Sequence, residues 1–246
     1  MNLLRFDSEA AWASGVATFW RDRLRSNPRL KMCLPSGLTP NPIYAEMVRS
    51  VAAGEATFAQ ASVFVLDEFG DVALDDPGRA KHAVMHHLAG AVDLPAAAFH
   101  FLDPDAPDID AHCRRYDLDI GDGFDLILLG IGLNGHLGMN EPGSPARSRT
   151  RRVDLHETTI ASAARYFSHR NVPRWGVTVG LQPILASKEV WLLATGSGKA
   201  AITERVVRGE IDERVPASLL RRHANCSLFV ESEAGALLGP DGHPGR

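Results

Sequence analysis

Short, uninterrupted apolar segments alternate with longer amphipathic segments along the chain. Continuous apolar runs predict strands that are buried on both faces, as in a parallel sheet. The predicted strands are residues 30–34, 62–67, 99–102, 124–131, 189–195 and 226–231. The segments between them predict helices, and Asp108 after Pro107 is a favourable N-cap for one of these helices. The predicted helices are residues 8–26, 40–52, 79–91, 108–120 and 197–208.

This alternation predicts a three-layer, Rossmann-like α/β fold in which helices flank a mostly parallel sheet. A chain of 246 residues is within the range of one α/β unit, so we expect a single domain over residues 1–246. Ligands of such sheets bind beyond the carboxyl ends of the strands. The residues that follow each predicted strand are therefore the first place to look for chemistry.

Composition excludes several classes of protein. Hydrophobic residues make up 45% and charged residues 23% of the chain, as in ordinary globular proteins with a substantial core. A net charge of −4 gives no indication of binding to nucleic acid or to an anionic membrane. The three cysteines have no C-x-x-C spacing, which argues against a disulfide framework and a zinc site. The polar first residues do not resemble a signal peptide, and no apolar run could cross a bilayer, so we expect a cytoplasmic protein.

Two predicted strands are followed by glycine-containing turns that lead into helices. In LPSGLTPNPIY, at residues 34–44, Gly37 permits unusual backbone angles and Thr39 could cap the helix or contact a ligand. In ATGSGKAAI, at residues 194–202, Lys199 follows a Gly-Ser-Gly turn. Backbone N–H groups at the start of a helix can bind phosphate. Plain capping is favoured for the first turn taken alone and is plausible for the second, which lacks the nucleotide-binding pattern G-x-x-x-x-G-K-[ST].

Ionisable residues follow two other predicted strands. In VLDEFGD, Asp67 and Glu68 are adjacent, so one carboxylate can enter a crevice while the other supports the loop. A carboxylate in that position is a candidate general base, although a solvated loop start is equally plausible. In GIGLNGHLGMNEPGS, at residues 130–144, His136 can transfer protons near neutral pH and Glu141 can orient its ring. A lone histidine is more often structural, but its glycine-rich, polar surroundings favour function here.

Two further patterns are discounted as sites. His82, His86 and His87 share one predicted helix without the H-E-x-x-H pattern of a zinc site. The basic segment RSRTRR, at residues 147–152, is more consistent with a solvated segment or a small-anion contact than with nucleic-acid binding.

The order of these segments along the chain is more specific than any one of them. LPSGLTP, LDEF, GIGLNGHLGMNEPGS, SRTRR and LATGSGKA resemble the glucosamine-6-phosphate deaminase/isomerase family, as do APDIDAHCRRY and ARYF. The resemblance covers about residues 30 to 230, and GHLGMNEPGS is its most specific part. The related 6-phosphogluconolactonases share the Gly-His step but usually lack the N-E-P-G continuation.

The resemblance implies conversion of an amino-sugar 6-phosphate to a ketose 6-phosphate and ammonia. It implies that Asp67 is the base that moves a proton between C2 and C1, and that His136 opens the sugar ring with support from Glu141. It also implies that the substrate phosphate is bound by four residues, namely Gly37, Thr39, Arg165 and Lys199. No metal or organic cofactor is implied. The implied partner is a small-molecule sugar phosphate, rather than a nucleic acid or a membrane, and a homo-oligomer is possible.

One residue departs from the pattern of the glucosamine-6-phosphate enzymes, which usually have D-G-H where this chain has Asn134-Gly135-His136. Asparagine can accept the hydrogen bond that an aspartate would accept from the imidazole, but it carries no charge. In a serine-protease triad the same exchange lowers the rate about 10⁴-fold. The N-G-H-L-G-x-N-E-P-G motif resembles the galactosamine-6-phosphate branch of the family, so we expect the C4 epimer to be a candidate substrate.

Two alternatives remain open from the residues alone. A sugar-phosphate lactonase would use His136 to activate water. A phosphosugar-binding regulator without catalysis would be consistent with Asn134, although no DNA-binding segment accompanies it.

Overall fold

The computed structural model describes residues 1–73, 75–167 and 172–239. Ten strands are present in these ranges: β1 Asn2–Phe6, β2 Lys31–Leu34, β3 Ser62–Val65, β4 Asp67–Phe69, β5 Phe99–His100, β6 Leu126–Gly130, β7 Arg151–Asp154, β8 Trp175–Thr178, β9 Val190–Ala194 and β10 Cys226–Glu231. The α-helices are α1 Glu9–Ser26, α2 Asn41–Ala52, α3 Ala80–Val84, α4 Ile109–Ile120, α5 Glu157–Ala163, α6 Leu181–Ala186 and α7 Ala200–Arg208.

The main sheet has seven strands in the order β1-β10-β9-β6-β2-β3-β5. Every neighbouring pair in this sheet is parallel. The mostly parallel sheet expected from the sequence is therefore confirmed. Because the strands run in one direction, the loops after β2, β3, β6 and β9 meet at one edge of the sheet.

Side chains that alternate along β6 are buried in separate cores on the two faces of this sheet. Leu126 and Leu128 pack with α1 and α2, among residues such as Trp20 and Met47. Ile127 and Leu129 pack against the opposite layer, which contains the buried faces of α4, α6 and α7. Burial on both faces explains the continuous apolar character of the central strands, and it confirms the three-layer arrangement.

A second, three-stranded antiparallel sheet was not predicted. Its order is β4-β8-β7, and Asp67 of β4 pairs with Thr178 of β8. The segment 62–67, predicted as one strand, is divided at Leu66: β3 stays in the main sheet and β4 leaves it for the small one. Alternate residues of β7 are exposed and three of its four residues are charged, so it has no continuous apolar run to reveal it. β1 was not predicted either, because it is half-buried at the edge of the main sheet and its apolar pair Leu3-Leu4 is flanked by the polar residues Asn2 and Arg5.

The predicted helices are present with changes at their ends. The predicted helix 79–91 is α3 followed by five π-helical residues, Met85–Ala89, and the predicted helix 197–208 begins with a 3₁₀ turn, Ser197–Lys199. Helices α5 and α6 were not predicted. They have only seven and six residues, so they give little periodic signal. Within the described residues, no helix is both long and apolar enough to cross a membrane.

Candidate active site

A cavity of about 430 Å³ lies at the carboxyl edge of the main sheet. Six of the eight residues proposed from the sequence line it: Gly37, Thr39, Asp67, His136, Arg165 and Lys199. They come from the ends of β2, β3, β6 and β9 and from the segment after α5, which are distant in sequence. The other two, Asn134 and Glu141, contact each other behind His136. A cavity of this size is typical of small-molecule sites.

Asp67 and Glu68 face opposite ways at the start of the small sheet. Asp67 lines the cavity and is only 8% exposed. The buried carboxylate of Glu68 instead accepts hydrogen bonds from the backbone N–H groups of Phe69, Ala80 and Lys81, at 2.8, 2.9 and 2.9 Å. Glu68 therefore ties β4 to the start of α3 and supports the loop, as expected for adjacent residues on a strand.

Burial of Asp67 has a large effect on its protonation. Loss of solvent around the carboxyl group, followed by the negative charge of Glu68, raises the pKa of Asp67 to about 7. A carboxyl group with this pKa is present as both acid and base near neutral pH. It can therefore take a proton from carbon and return it.

The imidazole ring of His136 packs directly against the backbone of Gly132, where a side chain would not fit. A Cβ atom on Gly132 would lie 2.3 Å from Cε1 and 2.4 Å from Cγ of the His136 ring. The loop closes on itself, since the N–H of Gly132 donates to the carbonyl oxygen of His136 over 3.0 Å. The buried amide of Asn140 donates to the carbonyl oxygens of Leu137 and Val179, which fastens the loop to β8 and the segment after it. The glycine-rich stretch thus brings backbone close to the imidazole ring and holds it.

Glu141 lies beside the imidazole of His136 and remains ionised. Its Oε2 atom is 3.5 Å from His136 Nδ1. Burial alone would raise the pKa of Glu141, but hydrogen bonds from His136, Thr159 and Asn134, and the charge of His136, lower it to about 2. The backbone N–H of His156 donates to the other carboxylate oxygen over 3.2 Å. Glu141 is therefore a fixed negative charge beside the imidazole ring.

Asn134 does not take the position expected from the sequence. Its Oδ1 atom accepts a hydrogen bond from the backbone N–H of His136 at 3.1 Å, not from the imidazole ring. Its Nδ2 group donates to Glu141 Oε2 at 2.9 Å and to Thr158 Oγ1 at 3.1 Å. The ring is instead contacted by Glu141 and Thr159. The expectation that Asn134 accepts a hydrogen bond from the ring is wrong, because its carbonyl oxygen is already used by the backbone.

The proposed phosphate end of the cavity carries two positive side chains. Lys199 is partly buried, and its Nζ donates to the carbonyl oxygen of Ile131 over 2.6 Å. Burial, and then the nearby charge of Arg165, lower the pKa of Lys199 to about 8. Arg165 donates to the hydroxyl oxygen of Tyr166 at 3.3 Å. A cation pair next to a cavity is a suitable arrangement for an anion with two negative charges.

The two glycine-containing turns differ in what their backbone offers. Gly37 has a φ of +95°, and Thr39 does not cap α2, whose first turn follows Pro40 without a side-chain cap. In the second turn, the N–H groups of Gly196 and Ser197 are already bonded to the carboxylates of Glu231 and Glu233. These two N–H groups are therefore engaged by carboxylates in this structure, whereas Gly198 and Lys199 of the same turn line the cavity.

The two discounted patterns both lie within the described residues. No cluster of three or more potential metal ligands occurs among the described residues, including the segment with His82, His86 and His87. Arg151 of the basic segment lies in β7 and donates to Asn140 Oδ1 at 2.8 Å and Ser144 Oγ at 3.1 Å. Those contacts give it a structural role in the loop that carries Glu141.

Sequence reasoning missed Thr159 and Tyr166, which both line the cavity. The hydroxyl oxygen of Tyr166 would lie 3.1 Å from a Cβ atom on Gly37, so Gly37 leaves room for this ring. Thr159 is 3.0 Å from Nδ1 of His136. Thr159 lies on a short helix that was not predicted, so it gives no signal in a single sequence. Tyr166 belongs to the ARYF segment, from which only Arg165 had been selected.

The chain matches the model of the glucosamine-6-phosphate isomerases/6-phosphogluconolactonases over residues 7–229. It is 40% identical to a glucosamine-6-phosphate deaminase of Rhodopirellula baltica over 94% of this chain and 93% of that one. It is 32% identical to the glucosamine-6-phosphate deaminase of Shouchella clausii, over 99% of this chain and 100% of that one. A monomeric glucosamine-6-phosphate deaminase of known structure superposes with a TM-score of 0.93, at 31% identity, over 96% of this chain and 100% of that one.

Lactonases share the fold at greater distance. The 6-phosphogluconolactonase of Thermotoga maritima superposes with a TM-score of 0.74 at 19% identity, over 94% of this chain and 99% of that one. At this identity the likeness concerns the fold alone.

Proposed function

Because the chain belongs to the glucosamine-6-phosphate isomerase/6-phosphogluconolactonase family, we propose that it is an enzyme that converts an amino-sugar 6-phosphate to a ketose 6-phosphate and ammonia. The reaction class is supported by similar proteins named glucosamine-6-phosphate deaminases, which match this chain along nearly their whole length. The observation that carries the proposal is the common cavity of Asp67, His136 and Lys199. It combines a buried base, a histidine backed by a carboxylate and a cation. The same proposal treats residues 1–246 as one catalytic domain.

His136 opens the sugar ring in this proposal. Its Nδ1 side is turned towards Glu141 and Thr159, which leaves the other ring nitrogen for the substrate. That nitrogen takes the proton of the C1 hydroxyl and returns one to the ring oxygen, so that the C1–O5 bond breaks and the aldehyde forms. Glu141, held ionised, stabilises the imidazolium that exists between the two transfers.

Asp67 then moves a proton from C2 to C1. As a carboxylate it takes the C2 proton, and the electron pair of that bond forms the C1–C2 double bond while the π pair of the C1 carbonyl moves to O1. O1 takes a proton from the C2 ammonium group, which gives an enolamine. Returning the proton to C1 gives an imine at C2, and addition of water there yields the ketone and releases ammonia. A single carboxyl group serves both halves, and its pKa of about 7 suits this use. The ammonium group that the substrate carries on C2 favours the ionised form of Asp67.

The phosphate is bound away from the reacting carbons by Lys199 and Arg165, with Gly37 and Thr39 on the facing turn. Charge-assisted hydrogen bonds are suited to this anion. Binding energy from the unreactive phosphate orients C1 and C2 against Asp67 and His136. This sequence of steps uses acid–base chemistry from side chains and water.

Glucosamine 6-phosphate is the first substrate to propose, since the similar proteins bear that activity in their names. Galactosamine 6-phosphate is the second, and the N-G-H-L-G-M-N-E-P-G motif favours it. Asn134, the residue that distinguishes this motif, is not among the residues that line the cavity. A preference for either sugar would therefore have to act through His136 and Glu141 rather than by direct contact with the C4 hydroxyl.

The test is ammonia release by the purified protein from both amino-sugar phosphates, side by side, with 6-phosphogluconolactone hydrolysis measured on the same preparation. Release from either sugar that follows saturation kinetics supports the reaction class, and the ratio of kcat/KM values identifies the sugar. Lactone hydrolysis without ammonia release would replace the proposal with the lactonase alternative. Tight phosphosugar binding with neither activity would indicate a non-catalytic binding protein.

A further inference from the structure

Nδ1 of His136 has two neighbours, and the nearer one is a hydroxyl group. Thr159 Oγ1 lies 3.0 Å from Nδ1, a normal hydrogen-bond distance, whereas Glu141 Oε2 lies 3.5 Å away. Thr159 is only 6% exposed and comes from α5, a different segment from the loop that carries His136 and Glu141. The imidazole–carboxylate contact is thus longer than the imidazole–hydroxyl contact.

The direction of each hydrogen bond follows from the chemistry of the partners. Glu141 is ionised and can only accept, and its Oε2 atom faces Nδ1, so the proton of the neutral ring lies on Nδ1. The hydroxyl oxygen then has lone pairs left to accept, and Nδ1 of His136 is the donor that faces it. Nδ1–H therefore has two acceptors, the nearer Thr159 hydroxyl and the Glu141 carboxylate, and together they select one tautomer of the neutral ring.

We propose that Thr159 is a positioning residue whose hydroxyl accepts a hydrogen bond from Nδ1 of His136 and, together with the Glu141 carboxylate, holds the proton of the neutral imidazole on Nδ1, so that Nε2 faces the cavity as the free base. The inference rests on the proposed function for its catalytic consequence, but the tautomer itself is a property of the free protein. Thr159 acts through His136, and no direct contact with substrate is required.

Few other charged groups adjoin the ring. From its own loop, Glu141 is the carboxylate that faces it, and among the described residues this is the ring's one ion pair. Asp67, Arg165 and Lys199 line the same cavity from the small sheet, the segment after α5 and the turn before α7. A change confined to the hydroxyl of Thr159 leaves all four of these charges in place, so its effect can be separated from theirs.

The experiment compares Thr159→Val, which removes the hydroxyl at constant shape, with Thr159→Ser, which keeps it. The matched control is Thr203→Val. Thr203 is also a fully buried threonine in a helix, and its hydroxyl has no hydrogen-bond partner among the described residues. The readout is the ¹⁵N chemical shifts of the imidazole nitrogens above the pKa of the ring. The chain has ten histidines, so the His136 signal is assigned from its absence in His136→Gln.

The wild type, Thr159→Ser and Thr203→Val are expected to show the Nδ1–H tautomer. Thr159→Val is expected to shift the ring towards the Nε2–H tautomer and to lower kcat about 10-fold, with KM changed less than about twofold. An Nε2–H tautomer in the wild type, or an unchanged tautomer in a folded Thr159→Val protein, would overturn the inference. If Thr159→Val does not fold, the wild-type and Thr159→Ser spectra still decide it.

The two proposals fail separately in this design. A wild-type protein that releases no ammonia refutes the proposed function, and the tautomer measurement stands apart from it. A wild type that turns over substrate with the proton on Nε2 refutes the role of Thr159 and leaves the reaction class intact.

Discussion

Asn134 donates a hydrogen bond from Nδ2 to Oε2 of Glu141 across 2.9 Å, while its Oδ1 accepts from the backbone N–H of His136. The orientation of this amide is fixed by its partners, because a carboxylate can only accept and a backbone N–H can only donate. Asparagine therefore satisfies both partners at once. An aspartate could accept from the N–H, but its second oxygen would meet the Glu141 carboxylate. The departure from D-G-H is thus matched to the surroundings of this residue.

Asn134→Asp is expected to lower kcat/KM on both amino-sugar phosphates by about 10-fold, because two carboxylates in contact raise each other's pKa and disturb the charge behind His136. The measurement is steady-state ammonia release over pH 6 to 9 on glucosamine and galactosamine 6-phosphate. An opposite outcome, in which one sugar is used better and the other worse, would show that this position sets substrate choice.

Much of the fold could be predicted because the central strands are buried on both faces and are read directly from apolar runs. The small sheet could not be predicted, because β7 has Arg151, Arg152 and Asp154 in four residues and β4 is continuous in sequence with β3. The consequence is functional, since β4 is the strand that carries Asp67. A residue placed by sequence at the end of a strand in the main sheet is in fact the first residue of another.

That the site residues lie close together could be predicted, but their hydrogen-bond partners could not. The position of Asp67, His136 and Lys199 after strands followed from the topology of a parallel sheet. Thr159 comes from a helix too short to give a periodic signal, and the orientation of the Asn134 amide depends on three-dimensional contacts. The engagement of Gly196 N–H by Glu231 was equally invisible, because the two residues are 35 positions apart.

Asp67→Asn is expected to lower kcat at least about 10³-fold, because an amide cannot take the proton from C2. Binding should persist, and calorimetry with the 6-phosphate of aminoglucitol, which has no carbonyl carbon, should give a Kd within a few-fold of the wild type. In the wild type, kcat/KM should rise with pH through about 7 as Asp67 ionises. Turnover that survives the substitution would remove Asp67 as the base.

Asp67→Asn, which lowers activity, is expected to raise stability, and the size of this gain depends on pH. The pKa of Asp67 is raised from 3.8 to about 7 in the folded protein, so the folded state binds more protons than the unfolded chain between these values. The free energy of unfolding of the wild type therefore falls as pH rises from about 4 to 7, by up to about 4 kcal/mol from this group. Asp67→Asn removes this pH-dependent fall in the free energy of unfolding.

Urea unfolding of both proteins at pH 5 and pH 8.5 tests this dependence. The variant should gain stability relative to the wild type on going to the higher pH. An equal difference at the two pH values would mean that the carboxyl group ionises in the fold without cost, contrary to its burial.

Lys199→Ala is expected to raise KM about 10- to 100-fold and to change kcat little, since the lost interaction is with the unreactive phosphate. With a pKa of about 8, Lys199 loses its charge at alkaline pH, so KM of the wild type should rise above pH 8 and KM of the variant should not. Lys188→Ala is the control, because Lys188 precedes β9 at the opposite edge of the sheet and pairs with Asp125. A KM unaffected by Lys199→Ala would exclude Lys199 from phosphate binding.

Gly132→Ala is expected to lower kcat about 100-fold while leaving the fold intact, because the added methyl group would lie 2.3 Å from the His136 ring. No rotation of the methyl group relieves that contact, so the ring or the loop must move. Productive proton transfer requires hydrogen-bond geometry, which a shift of this size destroys. KM should change less than kcat, since the added methyl group would meet the His136 ring and neither Lys199 nor Arg165.

Thermal unfolding and kinetics of Gly132→Ala are compared with those of His136→Ala, which sets the rate without the imidazole. A Gly132→Ala rate between the wild type and His136→Ala, with a Tm close to that of the wild type, is the expected result. A fully active Gly132→Ala protein would show that the imidazole position seen against Gly132 is not the one used in catalysis. The glycine would then serve only the close approach of the loop to the sheet, and the role of His136 in ring opening would lose its geometric support.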